Sequence, residues 1–143
     1  MLLVAIILSI GACTWVFGEF AAPKVSLVAI EPVNFGLFEQ RFNLRLRFRN
    51  TNDVELPIRG MSYTLQLNGS EFAEGVTDQA ITIPEYGEAV ITVPIVVNLT
   101  TLLKHAAGLK EQQINYELAG QLGLGHRTLK VPFNYSGAVD FKL

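Results

Sequence analysis

The chain reads as an all-β antiparallel sandwich of about seven strands with one short helix, preceded by a segment foreign to that fold. Three observations predict this. From Lys24 onward apolar and polar residues alternate with a period of two, as half-buried strands require. Turn signals recur at roughly the 8 to 12 residue spacing of short sandwich strands. Only the stretch around 98–108 changes to helical spacing.

The first strand, "KVSLVAIEP", is expected to end at Pro32. In "QRFNLRLRFRN" the residues Phe42, Leu44, Leu46 and Phe48 face a core, while Arg41, Asn43, Arg45, Arg47 and Arg49 face away. "IRGMSYTLQL" alternates Met61, Tyr63, Leu65 and Leu67. Asn68-Gly69 then predicts a type I′ hairpin, because both residues tolerate positive φ. "SEFAEG" is the return strand, with Gly75 at its end or in a bulge. "QAITIPEYGEAVITVPIVVNL" supplies two strands around a turn at Pro84 to Gly87. The second turns Ala89, Ile91, Val93, Ile95 and Val97 to one side, and Pro94 belongs at an edge or bulge because it cannot donate to a ladder.

In "NLTTLLKHAAG" the apolar positions Leu99, Leu102, Leu103, Ala106 and Ala107 predict an amphipathic helix. Asn98 or Thr100 is its N-cap and Gly108 its stop. "QINYELAGQLGLGHRTLKVPFNYSG" is a closing hairpin, with Ile114, Tyr116 and Leu118 on one arm and Leu129, Val131, Phe133 and Tyr135 on the other.

"MLLVAIILSIGACTWVFG" carries no charge before Glu19 and cannot lie on the surface of a soluble fold. Its apolar run suits the h-region of a signal peptide. "IGAC" resembles a bacterial lipobox, which predicts a signal peptide over 1–12, lipid on Cys13, a lipid-anchored linker over 13–23 and the folded domain over 24–143. No Lys or Arg precedes the apolar run, which departs from the signal-peptide pattern; an uncleaved anchor is the competing reading. Thr14 after the cysteine suggests the outer membrane, facing the periplasm of a bacterial envelope.

Half of the 143 residues are hydrophobic and 17% are charged, with a net charge of −2, so nothing supplies the concentrated basic surface that nucleic acid requires. The acidic group Asp53, Glu55, Glu71 and Glu74 falls in turns or, for Glu71 and Glu74, on opposite faces of one strand, and predicts no metal site. Asn50 and Asn52 suit Asx turns. His105 and His126 have no zinc spacing, and His105 reads as a surface residue at a helix C-terminus. There is no "GxSxG" elbow, and "GQLGLGH" lacks the ending of a phosphate loop. The sequons at Asn68, Asn98 and Asn134 are accidents if the chain is bacterial. No cofactor is predicted. The arginine row Arg41, Arg45, Arg47 and Arg49 is the one charge concentration: a solvated face that discourages edge pairing, or a contact for anionic headgroups and client proteins.

"FNLRLRFRNTNDVELPIRGMSYTLQLNGSEFAEG", followed by "ITIPEYGEAVITVPIVV", resembles the WHy domain of the type 2 late embryogenesis abundant (LEA) proteins over residues 25–136. The shared features are a strand running into Asn50-Thr51-Asn52, then "LPI", "YTLQLNG", Gly75 and the "IP" turn. Many relatives carry proline where Thr51 stands. The resemblance implies an immunoglobulin-like or fibronectin III-like sandwich associated with desiccation and other stress, without a catalytic site. The expected protein is therefore a non-enzymatic, lipid-anchored envelope domain that protects against water loss. The alternative is a structural module that docks a protein, lipid or glycan partner.

Overall fold

The computed structural model describes residues 21–109, 113–125 and 129–140. Cys13, the segment before it and His126 lie outside the described residues. Eight strands and one helix follow in the order β1 (Lys24–Phe35), β2 (Glu39–Arg49), β3 (Leu56–Leu67), β4 (Ser70–Thr77), β5 (Ile81–Ile83), β6 (Glu88–Asn98), α1 (Leu99–Leu109), β7 (Ile114–Leu124) and β8 (Leu129–Val139). Sheet A has the order β1-β2-β6 and sheet B the order β4-β3-β7-β8, with the short β5 also on β3; the described pairings are antiparallel. This is the expected sandwich.

The inward residues of both sheets meet in one core: Phe42, Leu44, Leu46 and Phe48 of β2 oppose Leu56, Leu65 and Leu67 of β3 and Ile114, Leu118 and Leu122 of β7, all essentially without solvent contact. Pro94 lies on β6, an edge strand of sheet A, where a missing donor costs no ladder bond inside the sheet. At the predicted hairpin Asn68 has φ of 51° and Gly69 of 83°, the positive pair of a type I′ turn. A Cβ at Gly69 would meet nothing within 4 Å, so only its backbone conformation resists a side chain there. Gly69→Val is expected to cost about 1 kcal/mol or more in chemical denaturation, and an unchanged midpoint would contradict the turn assignment.

Several local expectations are corrected. Strand β1 continues past Pro32 to Phe35, because β1 is an edge strand and a bulge at Val33 absorbs the irregularity. In β4 a bulge places Phe72 and Ala73 both in the core, since Leu65 pairs with Ala73 and Gln66 with Glu71. The inserted residue shifts the alternation by one, so Glu71 and Glu74 share the outer face instead of opposing each other. Gly75 does not end the strand; it lies opposite Tyr63, whose ring occupies the space a Cβ would take.

The helix also differs in detail. Asn98 is its N-cap, its Oδ1 accepting from Thr101 N at 2.7 Å. Leu99 and Leu103 are exposed, whereas His105 is buried. The helix seals the end of the sandwich, so its covered side is set by what it meets there. His105 Nδ1 lies 2.9 Å from the Thr101 carbonyl oxygen, Nε2 lies 3.2 Å from that of Ser70, and the ring stands edge-on to Phe72. His105 is thus a structural pin, not a surface residue. Gly108 stays within the helix, where a Cβ would meet the side-chain amide of Asn68 and require it to shift.

Candidate functional site

The four carboxylates do not converge. Asp53 and Glu55 sit in the exposed β2–β3 loop at one end of the sandwich, while Glu71 and Glu74 lie on the outer face of β4. Among the described residues no three His, Cys, Asp or Glu side chains are grouped to hold a metal ion. Likewise no described helix is long and apolar enough to cross a membrane.

The arginine row is a real surface feature, and its meaning changes with the topology. β2 is the middle strand of sheet A, so Arg41, Arg45, Arg47 and Arg49 do not guard an edge as expected from the sequence. They form a ridge along the centre of the outer face of that sheet. Glu31 of β1 lies 3.5 Å from Arg45, and Glu88 of β6 lies 3.8 Å from Arg47 and 4.0 Å from Arg49. Arg41 has no acidic partner within 4 Å among the described residues. These pairs are about half exposed, so each contributes at most about 1 kcal/mol and leaves the guanidinium groups open to competing anions. The outer face of sheet B is mixed, with Glu71, Glu74 and Glu117 at outward positions alongside Arg59 and Lys130.

A second constellation was only partly legible. Asn50, 1% exposed, uses Oδ1 to accept from Asn52 N at 2.9 Å and from Asn52 Nδ2 at 2.8 Å. The first of these is the expected Asx turn. Its Nδ2 donates toward the carbonyls of Val54 at 2.8 Å, Ile83 at 3.2 Å and Pro84 at 3.0 Å. Asn50 N donates to Gly87 O at 2.8 Å, and Tyr86 N donates to Asn52 O at 3.0 Å. Asn52 in turn holds Ala21 through both backbone groups, at 2.7 and 3.0 Å. The Asn-x-Asn turn therefore joins three segments: the β2–β3 loop, the β5–β6 turn and the chain entering β1. No local pattern announces the distant carbonyls; the only sequence signal is two asparagines closing a strand whose inward parity puts Asn50 on the core side.

Tyrosines close the sandwich from one sheet to the other. Leu27 N, beside the bulge in β1, donates to Tyr116 Oη at 3.1 Å, and Tyr135 Oη donates to Pro23 O at 2.8 Å. Tyr63 lies between Gly75 and Gly120 on the flanking strands, and burial holds its phenol above the ordinary value of 10.0. The unfolded chain therefore loses this proton at lower pH than the folded one. The associated stability is complete below pH about 10 and falls as pH rises further. Denaturant titrations between neutral and strongly alkaline pH should show this loss, and Tyr63→Phe should remove its Tyr63 component.

None of these features is a catalytic constellation; what they build is a closed sandwich with a basic ridge on one outer face and mixed charge on the other. A family model described as late embryogenesis abundant protein matches residues 45–137. A search of curated protein sequences finds no match. Among solved structures, the solution structure of an Arabidopsis thaliana protein superposes with a TM-score of 0.63 at 16% identity, covering 88% of this chain and 89% of that one. A crystal structure of a protein from Archaeoglobus fulgidus gives 0.50 at 17% identity, covering 84% and 99%. The solution structure of a chain named for the late embryogenesis abundant proteins gives 0.51 at 16% identity, covering 83% and 71%. At these identities the superpositions speak to the fold, and the family assignment rests on the sequence match together with the Asn50–Asn52 turn and the strand series around it: the chain belongs to the type 2 late embryogenesis abundant family.

Proposed function

We propose that this is a non-enzymatic, membrane-tethered LEA domain of the bacterial envelope, lipidated at Cys13, that protects proteins or membrane through water loss. The supporting observation is the arginine ridge on the outer face of sheet A: four guanidinium groups on its middle strand, three of them paired only with half-exposed carboxylates. Such a surface makes weak, exchangeable contacts with anionic groups of many clients and needs no pocket. Family membership points the same way.

The test dries a labile enzyme with the wild type, with Arg41, Arg45, Arg47 and Arg49 all changed to Gln, and with an unrelated β-sandwich at equal mass. The inward Phe42, Leu44, Leu46 and Phe48 are untouched, so the variant keeps its core. The wild type is expected to preserve the most activity and to lose its advantage as salt rises, because exposed charges are screened over about 8 Å at physiological ionic strength. Equal protection by the unrelated sandwich would reduce the effect to crowding and favour a partner-docking module. Mass spectrometry of the mature N-terminus checks the tether separately: lipid on Cys13 is expected, and an intact Met1 terminus would remove the lipoprotein reading.

A further inference from the structure

We propose that the end of the sandwich formed by the β1–β2 hairpin tip and the start of α1 inserts into the surface of an anionic bilayer. Leu37 is 83% exposed and Phe38 79%, side by side on the tip; Leu103 on the helix is 65% exposed, with Val33, Phe35 and Leu99 alongside. Leu99 N donates to Phe38 O at 3.0 Å, which fixes hairpin and helix as one surface. Phe35 packs edge-on against the buried Phe42, so the tip rises from the core on a rigid base. Soluble monomers rarely leave several large apolar side chains in water at one end without a use for them.

Shape and charge identify the occupant. Six exposed side chains at one end of the sandwich fall well short of the about 20–30 residues a side found in stable protein interfaces. Large apolar and aromatic side chains on a protruding tip do suit the boundary between headgroups and acyl chains. Arg41, beside the tip on the outer face, has no acidic partner within 4 Å among the described residues, and Lys104 is exposed on the helix. Behind Arg41 the rest of the ridge runs along β2, whereas the opposite face, with Glu71, Glu74 and Glu117 beside Arg59 and Lys130, has no such basic row. Glu39, the acidic residue nearest the tip, is exposed on the same outer face as Arg41, two positions away, so this basic side chain is the one placed to offset it there.

The chain outside the structure supplies the geometry. It enters at Ala21, held by Asn52 at the end opposite the tip. The 12 residues of β1 separate the two ends by roughly 40 Å at about 3.3 Å per residue. With the tether at one end, the apolar tip at the other and the ridge between them, the β1–β2 hairpin lies along the membrane with sheet A facing it. This placement rests on the tethered reading given above.

The test uses the full chain in liposomes with p-benzoylphenylalanine in place of Leu37 or, separately, Phe38, and at Gln121 on the outer face of sheet B as the control. After irradiation, phospholipid adducts at 37 and 38 are expected at no less than fivefold the yield at 121, and higher with anionic than with purely zwitterionic lipid. Equal yields at all three sites in a chain that still floats with the liposomes would overturn the tip while leaving the tether standing. Adducts to protein in place of lipid would overturn it in favour of a second copy or of this chain's own residues. Equal yields in zwitterionic liposomes would overturn the anionic surface. A chain that does not float would overturn both tether and tip.

Discussion

Asn50→Ala is expected to destabilise the domain by about 3 kcal/mol, although it removes only a small polar side chain. The cost comes from what is left behind. The carbonyls of Val54, Ile83 and Pro84 and the amide of Asn52 lose their partner in a site that is 1% exposed, and each buried polar group left unpaired costs about 1–3 kcal/mol. Partial relaxation of the two loops keeps the total below the sum. Asn50→Asp gives a sharper test, because it keeps the shape and the Asx turn but replaces the donor with an acceptor facing three carbonyl oxygens. The charged form is disfavoured in the fold, so the aspartate's folded pKa is raised. The variant should therefore be closest to wild type in acid, where a protonated carboxyl can donate, and lose stability as pH rises. Denaturant midpoints at acid and neutral pH decide the matter, and a silent Asn50→Ala would mean that water replaces the side chain.

Gly120→Ala is the second large expected effect, again about 3 kcal/mol. Gly120 lies between Tyr63 of β3 and Phe133 of β8, and a Cβ there would overlap the carbonyl oxygen of Ser62. A backbone carbonyl cannot rotate aside as a flexible side chain can, so β3 and β7 must move apart at the centre of sheet B. Gly123→Ala is the matched control on the same strand. Its nearest neighbour would be 3.6 Å from the added carbon, an ordinary contact, so no comparable loss is expected. Equal midpoints for the two variants would show that the sheet yields more easily than its pairing implies.

The strands were legible because alternation is a local property: the inward rows of β2 and β3 follow from counting by twos. What escaped was decided by the register and packing of paired segments, which alternation alone does not carry. The bulge at Phe72 exists because β4 must bring two consecutive residues to the core opposite Leu65 and Gln66, and nothing in "SEFAEG" states that register. The helix was located correctly but turned wrongly. Its covered side is chosen by Ser70 and Phe72 at the sandwich end, so His105 is taken in while Leu103 is left out. The arginine row was found by its periodicity. Its place in the middle of sheet A depends on β6 joining β2, a pairing made across some forty residues of intervening chain.

The clamp on Ala21 has a mechanical consequence. A load applied through the N-terminus and directed along β1 does not open the sandwich like a zipper, one bond at a time. It falls at once on the two Asn52 bonds, the Tyr135 bond to Pro23 and the β1–β2 ladder from Lys24 to Phe35, which are strained together in shear. Parallel loading shares the force among many bonds, so a pull on the N-terminus must overcome them together before any of the core is exposed.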